Sequence, residues 1–407
     1  MKIISGGVTA PLGFEAAGIE AGIKYQNRKD MAIIYSEAPC VAAGTFTSNV
    51  VKAAPVKWDR KLVEESPYVQ AVIVNTGIAN AGTGAEGLEK TVETAKEAGK
   101  LLGLPEDAVL VGSTGVIGPQ LPMDRIKAGI GVLVKAKAHT AENGTDAAKA
   151  IMTTDTVHKE CAVRLTIGGR EVTIGAISKG SGMIHPNMCT MLSFVVTDAV
   201  ISKETLTTLV KEDVKDTYNM ISVDGDTSTN DTFIVMANGM AENPEILPGT
   251  AEYEAFREAL HFVNETQAKK LAGDGEGATA LVECVVKNAD TKENARILAR
   301  SVISSDLTKA AVFGRDANWG RILCALGYSG AKFDPENVEL FYEGGGKTIL
   351  IYKDGLGVDF DEDEASAILS LPEVRIIADM KEGNETATAW GCDLTYDYVK
   401  INGDYRT

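Results

Sequence analysis

Apolar positions along the chain fall into two periods, and the period changes from segment to segment. Residues 1–57 read as short strands. Met31–Ser36 and Val41–Thr47 are apolar and β-branched, with Pro39 between them, which predicts two separate strands. Ala71–Asn75 predicts a buried strand and Val109–Val111 another. Leu88, Val92, Ala95, Ala98 and Leu102 recur near every 3.6 residues and predict a helix over 88–102. Helices are also expected over Asp124–Lys135 and Thr145–Met152. Val163, Leu165 and Ile167 alternate on one side of Gly168-Gly169, and Val172, Ile174 and Ala176 on the other. That predicts a hairpin over Glu160–Lys179. Thr190 to Thr197 is an unbroken run rich in Val, Phe and Thr, as in a strand buried on both faces.

The second half repeats the alternation. Lys203–Ile221 reads as a helix with Leu206, Leu209, Val210, Val214 and Met220 as its stripe, and Thr232–Met240 as a strand. Ala251–Leu271 is helical, with Phe256, Leu260, Val263 and Leu271 on one face. Thr279–Val286 is a strand and Glu293–Ser304 a helix. Residues 338–403 hold strands and a short helix whose start is marked by acidic Asp359–Glu364. With no repeat and no Pro/Ser-rich linker, the pattern implies an α+β fold, a layered α/β/β/α architecture with mixed sheets.

A chain of 407 residues, 44% apolar and with 41 glycines, has room for two or three domain-sized units rich in tight turns. A net charge of −17 without a basic stripe argues against a nucleic-acid partner. No apolar run approaches the ~20 residues of a membrane span, and the first residues do not read as a signal peptide. Six scattered cysteines without a Cys-x-x-Cys pair argue against a zinc site or a disulfide framework and favour a reducing cytoplasm. The four histidines form no His-x-x-x-His pair, and only His185 lies in a plausible catalytic loop. Chemistry that needs no histidine, metal or cofactor becomes attractive.

One junction offers such chemistry. Gly180, Gly182 and Pro186 make residues 177–189 a loop, which enters the apolar run at Thr190. A threonine there ordinarily only packs. If the bond after Cys189 were cut, however, Thr190 would carry both a nucleophilic hydroxyl and its own amine base. A free α-amine titrates at about 7.7–8.0, so it can take the hydroxyl proton near neutral pH. Gly112-Ser113-Thr114-Gly115, a strand running into a turn of small residues, can present backbone N–H groups and a hydroxyl to an oxyanion. Three other patterns carry less. Gly82–Gly87 matches G-x-G-x-x-G but lacks the tight strand-to-helix turn and the later acidic residue of a dinucleotide site. Gly344-Gly345-Gly346-Lys347-Thr348 has Phe341 where a P-loop needs glycine. Asp224–Asp231 lacks the glycine and glutamate of a calcium loop and reads as a polar turn.

Taken together, several stretches resemble the glutamate N-acetyltransferase (ornithine acetyltransferase) family of arginine biosynthesis. They are Gly112–Gly115, Met152–Thr156, Lys179–Met188, Thr190–Leu192, Asp224–Thr232, Gly273–Thr279, Gly314–Gly320 and Asn402–Thr407. The resemblance implies an architecture like that of N-terminal-nucleophile hydrolases. It implies self-cleavage between Cys189 and Thr190 into an α chain (1–189) and a β chain (190–407), assembled as α2β2. It implies Thr190 as nucleophile, Thr114 and Gly115 as the oxyanion pair, and substrate contacts from Thr153, Lys179, Thr190, Glu276, Asn402 and Thr407. Thr154, beside Thr153, competes for the same role. Cys189 stands where the family commonly has alanine. The implied substrates are N2-acetylornithine and L-glutamate, and no motif decides whether acetyl-coenzyme A is a second donor. Two other readings remain open on the sequence: a self-processing aminopeptidase or amidase in which water replaces glutamate, and an unprocessed small-molecule-binding protein.

Overall fold

The computed structural model describes residues 1–185 and 191–404. In chain order its first elements are β1 (Lys2–Ile4), β2 (Phe14–Ile19), β3 (Met31–Phe46), α1 (Ala54–Glu65), β4 (Val69–Asn75), α2 (Gly84–Leu102), β5 (Val109–Ser113), α3 (Met123–Ala136), α4 (Ala141–Ala150), β6 (Lys159–Ile167) and β7 (Arg170–Lys179). There follow β8 (Leu192–Thr197), α5 (Lys203–Asp213), β9 (Ile221–Ser222), β10 (Thr232–Ala237), α6 (Ala251–Gly273), β11 (Leu281–Ala289), α7 (Lys292–Ile303), α8 (Asp306–Phe313) and α9 (Trp319–Gly327). The last are β12 (Glu339–Gly344), β13 (Lys347–Lys353), β14 (Leu356–Gly357), α10 (Glu362–Leu369), β15 (Glu373–Asp379), β16 (Glu385–Cys392) and α11 (Tyr396–Asp404).

The architecture turns on β3. The two strands expected on either side of Pro39 are one 16-residue strand. Its ladder to β4 shifts register between Tyr35 and Cys40, so Pro39, which has no N–H to donate, falls in the irregular stretch. The first part of β3 pairs with β2 and β4, and Val41–Phe46 pairs with β10. One nine-stranded sheet results, in the order β1-β6-β7-β8-β10-β3-β4-β5 with β2 attached to β3. It is not flat. Ile177, Leu192, Phe194, Val196, Ile234 and Met236 from one wing share a core with Val72 and Val74 from the other, and the Phe194 ring reaches the Gly112 position of β5. The two wings therefore face each other across this core. α1, α2 and α3 pack on the β4–β5 wing or beside it at β2 and β3. α5 and α6 cover the opposite wing, where Leu206, Leu209, Phe256 and Leu260 pack with Ile174, Val195 and Val235. This is the expected α/β/β/α layering. Of the strand read over Thr190–Thr197, Leu192–Thr197 is β8, buried at every residue because both its faces meet core.

A second sheet, in the order β14-β13-β12-β15-β11-β16-β9, packs between α6 and α7. Two expectations for this half need correction. The helix read to Ile221 ends at Asp213, because Ile221 and Ser222 pair with Trp390 and Gly391 instead, and a tertiary strand outweighs the helical stripe. α8 and α9 lie in 305–337, a stretch where no element was read. In α2 the buried face is Gly87, Thr91, Thr94, Ala95 and Ala98, while Leu88 is exposed. Small residues there allow close packing that the Leu/Val spacing did not reveal. The acidic start at 359–364 is a true cap: Asp361 accepts the amide of Glu364 at 3.0 Å.

Candidate active site

Three strand ends meet at one point. β7 ends at Lys179, which pairs with Leu192 at the start of β8. β10 runs parallel to β8 with Thr232 beside Leu192, and the Thr232 amide donates to the Met191 carbonyl at 2.8 Å. Asp231 is thus brought alongside Met191. The third end is that of β5, five strand steps from β7. A flat sheet would place them about 24 Å apart. The folded sheet instead lets the Lys179 ammonium donate to the Thr114 hydroxyl at 3.2 Å. Asn230 fastens this closure: its side-chain amide donates to the carbonyls of Ala79 (2.6 Å) and Ser113 (2.7 Å).

Thr114 and Gly115 are held in a strict geometry. The Thr114 amide is already spent on the Asn75 carbonyl at 3.1 Å, so its hydroxyl is what it can offer. That oxygen accepts from Lys179, which leaves its own proton free to donate. Gly115 sits at φ +127°, and a Cβ there would overlap the Gly77 backbone, so only glycine fits. A small cavity is lined by Thr114, Lys179, Gly182, Met191, Asn230 and Asp231.

The charges around Lys179 form a buried network. Burial pushes its ammonium below the usual lysine range, with Lys159 adding to the effect, while Asp155, Glu276 and Asp231 oppose it. Asp155 shows the reverse. Burial acts to raise its carboxyl, but Lys179 and Lys159 outweigh it and hold it at about 2. Lys159 donates to Asp155 at 2.7 Å and to Asp274 at 2.6 Å. Asp274 also receives the hydroxyl and amide of Thr156.

The remaining expected residues surround this network. The Glu276 amide donates to the Ser181 carbonyl at 2.9 Å, and its carboxylate packs so close to Gly182 that a Cβ there would overlap it. Asn402 donates to that carboxylate at 2.7 Å. Of the pair 153–154, Thr154 faces the glycine-rich loop, with its hydroxyl 3.2 Å from that of Ser181. Thr153 contributes backbone: its amide to Asp155 and its carbonyl to Arg28. Cys189, Thr190 and Thr407 lie outside the described residues. Residues 183–185 are gripped by the turn at 222–227. Asp224 accepts the amides of Met183 (2.6 Å) and Ile184 (2.8 Å), and Thr227 donates to the His185 carbonyl at 2.9 Å. His185 touches Ser222, and burial together with Arg300 pulls its pKa down to about 4, so it is neutral at pH 7.

Sequence reasoning missed Asn230, Asp231, Asp155, Lys159 and Asp274. Asp224–Asp231 is the polar turn expected at its start, yet the same stretch supplies Ser228, Asn230 and Asp231 to the cavity. The signal for Asp155 and Asp274 was their place inside Met152–Thr156 and Gly273–Thr279. Lys159 carried none.

The profile of the ArgJ family matches residues 15–407, and the chain belongs to that family. The arginine biosynthesis bifunctional protein ArgJ of Thermotoga neapolitana is 51% identical, covering 98% of this chain and 99% of its own. The protein of the same name from Symbiobacterium thermophilum is 54% identical over the full length of both. Among solved structures, the arginine biosynthesis bifunctional protein argJ of Bacillus halodurans is 44% identical with a TM-score of 0.50. It covers 52% of this chain and 98% of that one.

Proposed function

We propose that this protein is an acetyltransferase of arginine biosynthesis that moves the acetyl group of N2-acetylornithine to L-glutamate through an ester on Thr190. The observation that carries the reading is the meeting of Thr114, Lys179 and Met191 at one cavity. Met191 follows the proposed nucleophile directly, the Thr114 hydroxyl has a proton to give an oxyanion, and Lys179 offers a cation to a substrate carboxylate.

In the first half-reaction the free amine of Thr190 takes its hydroxyl proton while the oxygen attacks the acetyl carbonyl. The carbonyl oxygen becomes an oxyanion between Thr114 and Gly115. As the carbon–nitrogen bond breaks, the proton passes to the departing ornithine amine, leaving acetyl-Thr190. Glutamate then binds in ornithine's place, with its α-carboxylate on Lys179. Its amine attacks the ester, and the proton returns to the threonine oxygen. Thr153, Glu276, Asn402 and Thr407 complete the pocket in this reading. Acetyl-coenzyme A can load the same hydroxyl by thioester exchange, which accords with the word bifunctional in the relatives' names.

The mechanism needs a free Thr190 amine, so we assign self-cleavage between Cys189 and Thr190, giving α (1–189) and β (190–407) chains in an α2β2 assembly. The Bacillus halodurans structure supports a divided chain. Its length corresponds to about half of this one, near that of the proposed β chain. The five described cysteines are free, which fits a cytoplasmic enzyme. No described helix is long and apolar enough to cross a membrane.

Denaturing electrophoresis with N-terminal sequencing tests the division. Two bands are expected, the second beginning at Thr190, and one intact band from Thr190→Ala. Product analysis with and without glutamate separates transfer from amidase chemistry: N-acetylglutamate should form, with little free acetate. Acetate released at the same rate in both samples would favour the amidase.

A further inference from the structure

We propose that Asp155 is a positioning residue for the transfer reaction: with Lys159 and Asp274 it forms a buried ionic bridge across the two halves of the chain and fixes Lys179 as a cation in the substrate cavity. The proposal rests on the assignment of Lys179 to the substrate carboxylate.

The bridge is fully built. The side chains of Lys159 and Asp155 are 0% exposed and that of Asp274 is 7% exposed. Asp155 accepts from Lys159, from the Gly180 amide at 2.7 Å and from the Thr153 amide at 3.0 Å. Asp274 accepts from Lys159 at 2.6 Å and from the amides of Thr156 (3.1 Å) and Val157 (3.4 Å). Buried ions are a poor route to stability alone, since apolar side chains of similar volume serve as well or better. Three of them, every one saturated, point to a task beyond folding.

Their neighbours define that task. Gly180 follows Lys179, and the Thr153 held by Asp155 precedes Thr154, whose hydroxyl faces Ser181. Asp274 is two residues before Glu276, whose amide is bonded to Ser181. One bridge therefore sets the loop of Lys179 against the loop of Glu276. It also sets the charge of Lys179. The charges that act on this ammonium are those of Asp155, Lys159, Glu276 and Asp231, and it donates to the Thr114 hydroxyl. Lys159 repels the charge and Asp155 holds it. Without Asp155, the Lys159 charge acts on the buried Lys179 without that opposition, and Lys179 gives up its proton at lower pH. Without Lys159, it keeps the proton to higher pH.

The test is kcat/KM for glutamate across the neutral to alkaline range, with thermal unfolding of each variant. Asp155→Asn should move the alkaline limb to lower pH by about one unit, and Lys159→Met should move it upward. Loss of stability alone would shift neither limb and gives no reason for opposite signs. Lys179→Met should abolish the limb and raise KM. If it does, and the other two variants leave the limb in place, the bridge has no such role. If Lys179→Met itself keeps the wild-type limb and KM, the assignment of Lys179 fails and the proposal falls with it. Should Asp155→Asn not fold, the direction of the Lys159→Met shift decides alone: upward supports the bridge, unmoved or downward overturns it.

Discussion

Thr114 and Gly115 show how little freedom the site leaves single residues. The Thr114 amide belongs to Asn75, so the proposed contribution of Thr114 to an oxyanion is its hydroxyl, and Thr114→Ala removes that while leaving the backbone bond. Turnover should fall by about 10²–10³, with the melting temperature close to that of the parent. Steady-state kinetics on the fully processed variant check this. An unchanged turnover number would remove Thr114 from the chemistry. Gly115→Ala should be harsher, because at φ +127° its methyl would enter the Gly77 backbone. We expect both lost activity and a lower melting temperature, visible in the same two assays. Lys179 differs from both, since its environment rather than its shape decides its role: burial works to neutralise it and Asp155 works to keep it charged.

Among the elements, β3 and α6 do the most. The irregularity in β3 between Tyr35 and Cys40 lets one sheet fold on itself, and that fold brings β5 to β7. α6 lies between the two sheets, with Phe256, Leu260, Val263 and Leu271 buried. Phe256→Ala should cost about 3–5 kcal/mol, read as a lower denaturant midpoint at an unchanged slope. A cost under about 1 kcal/mol would mean the helix is not a packed layer. These elements also mark how far the sequence reaches. The hairpin at Gly168-Gly169, the all-buried β8 and the stripe of α6 are period-2 and period-3.6 patterns, and all three were legible. The continuity of β3 was not, because Pro39 reads as a break unless the partner strands are known. The end of α5 at Asp213 was hidden for the same reason, as Ile221-Ser222 becomes a strand only beside β16. Thr114, Lys179, Glu276 and Asn402, which lie at or around the buried charge network, were proposed from motifs. Lys159 and Asp231 act through neighbours far away in sequence, and spacing along the chain carries no trace of that.

For the whole molecule, the buried charges make stability depend on acid. Asp155 has a folded pKa of about 2 against an ordinary 3.8, so the folded state favours its ionised form. That stability is complete above the unfolded value and is lost as pH falls from about 4 toward about 2, an amount of about 2 kcal/mol. Unfolding measured at neutral pH and near the folded pKa should show this loss in the parent and a smaller one in Asp155→Asn. An equal loss in both would mean Asp155 is not held ionised. The same charges couple the two proposed chains, because Lys159 belongs to residues 1–189 and Asp274 to residues 190–407.

The claim that unites these scales is that Thr190 carries the acetyl group between two amino acids. Incubation with N2-acetylornithine alone, quenched rapidly and read by intact mass and peptide mapping, tests it most directly. The β chain should gain one acetyl group, located on Thr190, and lose it when glutamate is added. No acetylated β chain at any quench time, together with intersecting rather than parallel double-reciprocal lines, would contradict the account and place transfer in a ternary complex.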